Sequence, residues 1–165
     1  MNIRHYLCLS FFFINVCQAD TLAITGNVTA APCMIDSANA NQTIDFSQVI
    51  AQNLASTNNA SDWKYLDIKL TNCPASTTFV KAQFTGKVDD VNNQYFANLG
   101  TAQNVALHLT DKSHATTYNN LSIAKVSVNK ERQALFPLSA RIIMLKNGVK
   151  GGSFNSVVQI AFTYE

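Results

Sequence analysis

The sequence predicts an all-β sandwich, and three observations point to that class. In several segments apolar residues alternate with polar ones, which is the period of a strand with one buried face. Clusters of Asn, Asp, Ser and Gly separate these segments, as turns between strands do. Only 13% of the 165 residues are charged, which argues against a disordered, charge-rich protein. The formal net charge of +2 gives no reason to expect nucleic-acid binding.

The first 19 residues have the pattern of a secretory signal peptide. Arg4 supplies a positive charge, an apolar stretch follows over 6–16, and Cys17 and Ala19 are the small residues before a cleavage site. The apolar stretch is too short to span a membrane. A buried N-terminal helix is the alternative interpretation. We expect residues 1–19 to be removed and the remainder, 20–165, to fold after export.

Two cysteines remain once the signal peptide is removed. Cys33 and Cys73 would then lie in an oxidising compartment, where disulfides persist. A bond between them closes a loop of about 40 residues and restricts the unfolded chain by roughly 4 kcal/mol through lost loop-closure entropy. Two buried free thiols are the alternative. Without a histidine close in sequence, two cysteines make a poor zinc site.

Four central segments show the strand alternation clearly, and turn-forming clusters at 56–59, 89–93 and 116–120 separate them. Residues 47–55 could form one short helical turn. Asn147-Gly148 predicts a hairpin that joins the fourth segment to the last strand. This spacing fits an immunoglobulin-like sandwich in a single domain. The predicted inward residues are Leu66, Ile68 and Leu70; Val80, Ala82 and Phe84; Val105, Leu107 and Leu109; and Leu138, Ala140, Ile142 and Met144.

The last predicted strand is long and regular, and it runs from Gly152 to the end of the sequence. A sandwich of this type normally needs another strand after it, and the sequence offers none. We therefore expect an uncovered sheet edge that invites pairing with another chain. The residues on its apolar face are Phe154, Ser156, Val158, Ile160, Phe162 and Tyr164, before the terminal Glu165.

The start of the mature chain has the pattern of a missing strand. Leu22, Ile24, Gly26 and Val28 alternate with Thr, Ala and Asn residues. A terminal segment of this kind can add as a strand to the sheet of another molecule, a recognition mode of which chaperone–pilin complementation is a known example. An ordinary first strand, paired within its own domain, fits the same pattern.

No motif for catalysis or metal binding stands out. His108 falls on the outward face of its strand and His114 in a polar loop, and no carboxylates can be placed beside them. Asp89-Asp90 is more simply a solvated turn than a catalytic pair. Trp63 and Tyr65 could form a sugar platform, although packing near the start of the strand over 66–70 is the simpler interpretation. We expect no enzyme activity, no metal and no cofactor.

Four motifs together resemble the minor pilins of type 1 fimbriae, which the chaperone–usher pathway assembles. Each motif is weak alone, but their combination behind a signal peptide is specific, and the resemblance covers essentially all of 20–165. The motifs are Ala31-Pro32-Cys33, Leu70-Thr71-Asn72-Cys73-Pro74, the Gly-x-Ala-like stretch 100–107, and a C-terminal segment with Gly152 fourteenth from the end and Tyr164 next to last.

The resemblance implies an incomplete immunoglobulin-like sandwich that lacks its last strand and is completed by a donor strand from a chaperone or a neighbouring subunit. Residues 20–32 would be the donor-strand extension and 33–165 the pilin domain. Leu22, Ile24 and Val28 would fill pockets in a neighbour's groove, and Gly26 would leave one pocket sparsely filled. The strand that borders the groove and meets the chaperone would be formed by Gly152, Phe154, Val158, Ile160, Phe162, Tyr164 and Glu165.

The function that the resemblance implies is that of a structural subunit, minor or tip-adapter, of an adhesive fimbria. Its partners would be a periplasmic chaperone, the outer-membrane usher, and other pilin subunits such as an adhesin or a major pilin. The chain would pass through the periplasm to the cell surface, with no membrane span of its own. The alternative is a self-contained, secreted β-sandwich that binds a receptor or glycan directly.

Overall fold

The computed structural model describes residues 32–35, 42–51, 54, 59–146 and 148–165. Before the main strands, the Leu54 N–H donates to the Ile50 carbonyl at 3.4 Å, a hydrogen bond with the spacing of an α-helix. No helix in the described ranges is long and apolar enough to cross a membrane. Within these ranges the chain forms nine strands: β1 (Met34–Ile35), β2 (Lys64–Thr71), β3 (Phe79–Gly86), β4 (Phe96–Ala97), β5 (Val105–Asp111), β6 (Thr117–Tyr118), β7 (Ile123–Ser127), β8 (Ala134–Met144) and β9 (Val158–Tyr164).

The strands form two antiparallel sheets that face each other. The larger sheet has the order β1-β2-β8-β5-β4, with β6 also paired to β5, and the smaller sheet has the order β7-β3-β9. β8 is the centre of the larger sheet, because it pairs along its length with both β2 and β5. In the smaller sheet β9 is an edge strand, with β3 as its partner.

The predicted alternation is confirmed in the core between the sheets. Ile68 and Leu70 of β2, and Val80, Ala82 and Phe84 of β3, are all buried, whereas Leu66 is half-buried. The inward residues Leu107, Leu109, Leu138 and Ala140 of β5 and β8 belong to the same cluster. β5 departs from the pattern, because Ala106, His108 and Thr110 on its other face are also buried.

A disulfide joins Cys33 to Cys73, with Cα atoms 4.2 Å apart and both residues buried. Two free thiols are therefore excluded. The bond lies beside the pairing of β1 with β2, where Met34 is opposite Thr71. It fixes the beginning of the described domain to the end of β2.

The predicted hairpin at Asn147-Gly148 is wrong. β8 belongs to the larger sheet and β9 to the smaller one, so the two strands are not paired with each other. Gly148 does have a positive φ of 84°, but the chain then crosses between the sheets, with Lys150 bridged to Gln103 on the way. Asn147 lies outside the described residues. A local turn signal does not determine which sheet the following strand will join, and this is why the prediction failed.

Two strand boundaries also differ from the prediction. β9 begins at Val158 rather than at Gly152, because residues 150–155 pair irregularly with 98–103, which connect β4 to β5. The predicted turn at 116–120 contains the short strand β6, which pairs with β5.

Candidate functional site

A groove with a volume of about 1360 Å³ runs along the free side of β9. Inward side chains of β2, β5 and β8 form the floor of this groove. One side wall, here called the β9 bank, consists of β9 and the residues before it, and the opposite bank consists of residues 42–46. Within the described residues no strand pairs with the outer edge of β9. That edge therefore presents backbone N–H and C=O groups that another strand can pair with.

The exposure of the β9 bank shows that this groove is open. Phe154, Val158, Ile160 and Phe162 face inward but are only half-buried, while Val157, Gln159 and Ala161 on the other face of the strand are exposed. By contrast, Phe84 of the adjacent strand β3 is 0% exposed. The difference arises because the residues that the structure describes cover the inward side chains of β9 from one side only.

The lining of the groove is suited to an apolar strand. Its floor consists of aliphatic side chains, and Asp45 and Lys150 are the charged residues among those that the structure places around it. An extended segment with apolar residues at every second position would fill such a floor while its backbone pairs with β9. The floor residues are Leu66, Ile68, Val105, Leu107, Leu109, Leu138, Ala140 and Ile142.

Gly152 and Gly100, which belong to separate sequence motifs, lie in two segments that touch. A Cβ atom on Gly152 would come within 2.5 Å of the Ala102 nitrogen, and one on Gly100 would overlap the Ser153 carbonyl group. Glycine at both positions lets the two backbones approach this closely. Gly152 therefore shapes the crossing that leads into β9 and does not itself lie on the paired strand.

Asn98 joins the same two segments and was not singled out by the sequence. Its Nδ2 donates to the carbonyls of Ala102 at 2.9 Å and Ser153 at 3.3 Å. Its Oδ1 accepts from the N–H groups of Gly100 at 2.9 Å and Asn155 at 2.8 Å. These four bonds fix the residues on both sides of Phe154. Asn is so frequent in this chain that nothing in the sequence distinguishes this one.

The C-terminal residue is anchored on the outer face of the smaller sheet. The side-chain carboxylate of Glu165 forms ion pairs with Lys81 and with Lys125, the latter at 3.0 Å. Hydrogen bonding from Lys81, and then from Lys125, lowers the pKa of the Glu165 carboxyl. The Phe79 N–H donates to the Glu165 carbonyl at 3.0 Å, and the Glu165 N–H donates to the Phe79 carbonyl. The end of β9 is thus held in register with β3.

Trp63 is covered on the outer face of the larger sheet. The ring of His114 stacks on Trp63 with centroids 4.0 Å apart and planes within 6°, and the Arg141 guanidinium lies 4.2 Å from the Trp63 ring centroid. A flat sugar-binding surface would need this ring to be free. The packing interpretation of Trp63 therefore holds. Tyr65 lies at the edge of the same group, with its ring centroid 5.9 Å from that of His114.

The remaining candidates from the sequence have structural roles. Oδ1 of Asp89 accepts from the N–H groups of Val91 at 2.8 Å and Asn92 at 3.1 Å, which makes it a turn residue. Within the described part of the chain no group of three His, Cys, Asp or Glu residues could hold a metal ion. The predicted donor residues Leu22, Ile24, Gly26 and Val28 lie outside the described residues, as does the predicted signal peptide.

The fold and the groove together define a class of protein: a β-sandwich in which one edge strand lacks its neighbour. A family model described as "Fimbrial protein" matches residues 22–165, and the chain belongs to this family. It is 37% identical over 145 residues to Protein FimG of Escherichia coli K12, covering 87% of this chain and 84% of FimG. It is 32% identical over 145 residues to the uncharacterised fimbrial-like protein YdeR of the same strain, covering 88% and 84% of the two chains.

Solved structures confirm the predicted immunoglobulin-like sandwich. The P pilus rod subunit PapA superposes with a TM-score of 0.68 at 24% identity, covering 82% of this chain and 100% of PapA. A subunit in a chaperone–usher pilus structure gives a TM-score of 0.69 at 23% identity, covering 90% and 96% of the two chains. The predicted resemblance to fimbrial subunits is thus confirmed. The chain is a structural subunit of a surface fimbria and associates with other pilin subunits.

Proposed function

We propose that the chain is a minor or tip-adapter subunit of an adhesive fimbria that polymerises by donor-strand exchange. The groove beside β9 supports this role more than any other feature. Its floor and one bank are apolar, the inward side chains of β9 remain half-exposed, and no described strand pairs with the free edge of β9. A groove of this kind is completed by a strand from another molecule.

The occupant that we propose is the segment 20–28 of a neighbouring subunit. A strand of nine residues spans roughly 30 Å, which is similar to the length of the bank between Phe154 and Tyr164. Leu22, Ile24 and Val28 would point to the floor, and Gly26 would leave one position sparsely filled. Burying three such side chains contributes on the order of 5–9 kcal/mol before the cost of ordering the strand. In this scheme residues 20–32 are the extension and 33–165 the domain.

A periplasmic chaperone and an outer-membrane usher complete the proposed scheme. An uncovered apolar bank on an edge strand promotes aggregation, so the subunit needs a temporary strand before it is assembled. The chaperone would lend that strand after export, and the usher would be the site where a neighbouring extension replaces it. The fold relationship to a chaperone–usher pilus subunit supports this route.

The alternative function, a self-contained module that binds a receptor directly, is disfavoured by the same groove. A self-contained sandwich would cover the inward face of β9 and pair with its free edge through its own residues. The half-exposed side chains of Val158, Ile160 and Phe162 indicate the opposite for the described part of the chain.

Deletion of residues 20–28 tests the proposal. We expect the shortened subunit to be captured by a co-expressed periplasmic chaperone, because the groove is built from other residues. It should accept the extension of another subunit but donate none, and should therefore end a growing fibre. The full chain, co-expressed in parallel, is the control that polymerises. Loss of the fold on deletion would show that 20–28 is an internal first strand and would favour the self-contained module.

A further inference from the structure

The groove is bridged by aromatic side chains at one end. There Phe154 of the β9 bank meets Phe46 of the opposite bank, with ring centroids 6.0 Å apart and planes at 81°. This edge-to-face geometry is favourable for two aromatic rings. Both rings pack against a second small core, which comprises Leu54, Val105 and Ile142. This end of the groove is therefore filled by the chain's own side chains.

Phe154 is held firmly in this position by its backbone neighbours. The Ser153 carbonyl accepts from the Ala102 N–H at 3.0 Å, and the Asn155 carbonyl accepts from the Leu99 N–H at 2.6 Å. Asn98 binds both neighbours through its side-chain amide. These bonds hold the backbone on both sides of Phe154, so the Phe154 Cα and Cβ atoms cannot move away from the groove without breaking several of them.

Phe46 is the member of the pair that can be displaced. It lies in the segment 42–50, which belongs to neither sheet. Beside it, Ser47 has a positive φ of 54° and donates its N–H to Oδ1 of Asp45 at 2.6 Å, a bond within the same segment. An incoming strand would therefore move Phe46 more easily than Phe154.

We propose that the Phe46–Phe154 pair is a specificity-determining stop, which limits how many apolar side chains of an incoming strand this groove can seat. Asn98 is the positioning residue that holds Phe154 in the stop. The inference rests on the proposed role of the groove as an acceptor of a strand from another subunit. A strand with one further large apolar residue at this end must part the two rings, whereas a strand that ends before them leaves the pair intact.

Synthetic peptides added to the full mature chain test the stop. The first peptide carries residues 20–28. The second extends it by two residues at its N-terminal end and the third by two residues at its C-terminal end. In each extension the outermost residue is a leucine, so that the alternation of apolar residues continues. The binding of each peptide is measured by the rise that it causes in the unfolding temperature. We expect the peptide of residues 20–28 to bind to the wild type. The longer peptide whose leucine reaches the stop should bind with no greater affinity than this peptide.

Phe46→Ala should remove the stop. The longer peptide whose leucine reaches this position should then bind about tenfold more tightly than the peptide of residues 20–28, since burying one such side chain changes affinity by roughly this factor. Phe46→Val is a second variant that keeps more of the packing. Phe79→Ala is the matched control, because it removes a phenyl ring that is exposed on the outer face of the smaller sheet, and it should behave like the wild type.

Asn98→Ala should release Phe154 and raise the affinity of the peptide whose leucine reaches the stop, relative to the peptide of residues 20–28. A purely structural loss would weaken the short and long peptides equally, so their affinity ratio distinguishes positioning from stability. Asn92→Ala, which removes a bond to the Gln94 N–H in a different loop, should leave that ratio unchanged. An equal gain from the added leucine in the wild type and in Phe46→Ala would overturn the stop alone. Failure of all three peptides to bind the wild type would overturn the groove's proposed role, and the stop with it.

Discussion

His108 accepts a hydrogen bond at Nδ1 from Nε of Arg141, 3.2 Å away. A guanidinium group can only donate, so the proton of the neutral imidazole lies on Nε2, which is 3.0 Å from Oγ1 of Thr117. His108 is 9% exposed, and its ring contacts Trp63 and Tyr95. Burial first, then the charges of Arg141 and His114, lower the pKa of His108 to about 4. The folded protein therefore holds this histidine neutral.

The stability of the protein should fall as the pH falls from about 6.5 to 4. In this range the unfolded chain binds a proton at His108 while the folded chain does not. We expect a loss on the order of 1–2 kcal/mol in the free energy of unfolding between pH 7 and pH 4.5. Denaturant titrations can follow it through the emission of Trp63, since the chain has one Trp. His108→Gln should reduce this loss, and an undiminished loss in that variant would contradict the assignment.

Gly152→Ala should destabilise the domain by about 1–3 kcal/mol, the usual cost of forcing an extra carbon into a packed contact. Its Cβ would meet the backbone of Thr101 and Ala102, which cannot move aside as a flexible side chain can. The matched control is Gly151→Ala, because a Cβ there has no neighbour within 4 Å. Thermal unfolding of the two variants should separate them clearly, and equal midpoints would show that the crossing tolerates the added carbon.

Ile24→Asp should block donation of the extension without affecting capture by the chaperone. An unpaired carboxylate in an apolar groove costs several kcal/mol or is forced to protonate. Thr25→Asp places the same charge on the opposite face of the predicted strand and should be tolerated. Strand exchange can be followed by the appearance of subunit pairs that resist dissociation in mild detergent. Equal exchange by the two variants would mean that this face of the extension does not enter a groove.

Deletion of residues 162–165 should abolish chaperone capture. It removes three of the seven β9 residues that pair with β3, including Phe162, which is opposite Ala82, and Tyr164, which is opposite Val80. Glu165→Gln removes the carboxylate that Lys81 and Lys125 bind but keeps the strand, and should still be captured. Co-purification with a tagged chaperone measures both variants. Full capture of the deleted chain would place recognition elsewhere.

The sequence predicted those parts of the structure that depend on local patterns. The alternation of Val80, Ala82 and Phe84 was sufficient to predict a strand and its buried face, because strand periodicity is visible in a few residues.

Features that depend on distant parts of the chain were not predictable. The burial of His108 requires Arg141 of β8 and Trp63, which lies just before β2. The placement of β9 in the smaller sheet requires knowledge of the sheet order. Asn98 was missed because two of its partners, Ser153 and Asn155, are 55 and 57 positions away. Its role follows from the close approach of two backbones and not from its neighbours in sequence.

The disulfide described above has a mechanical consequence for a fibre held together by the proposed extension. Tension along such a fibre would enter each domain near Cys33, where the described chain begins. β1 pairs with β2 through two residues, and so short a ladder would peel open under load. The covalent bond to Cys73 instead transfers the force to β2, which is paired with β8 at seven positions. The subunit can therefore carry a pulling load through its central sheet while its weakest strand is bypassed.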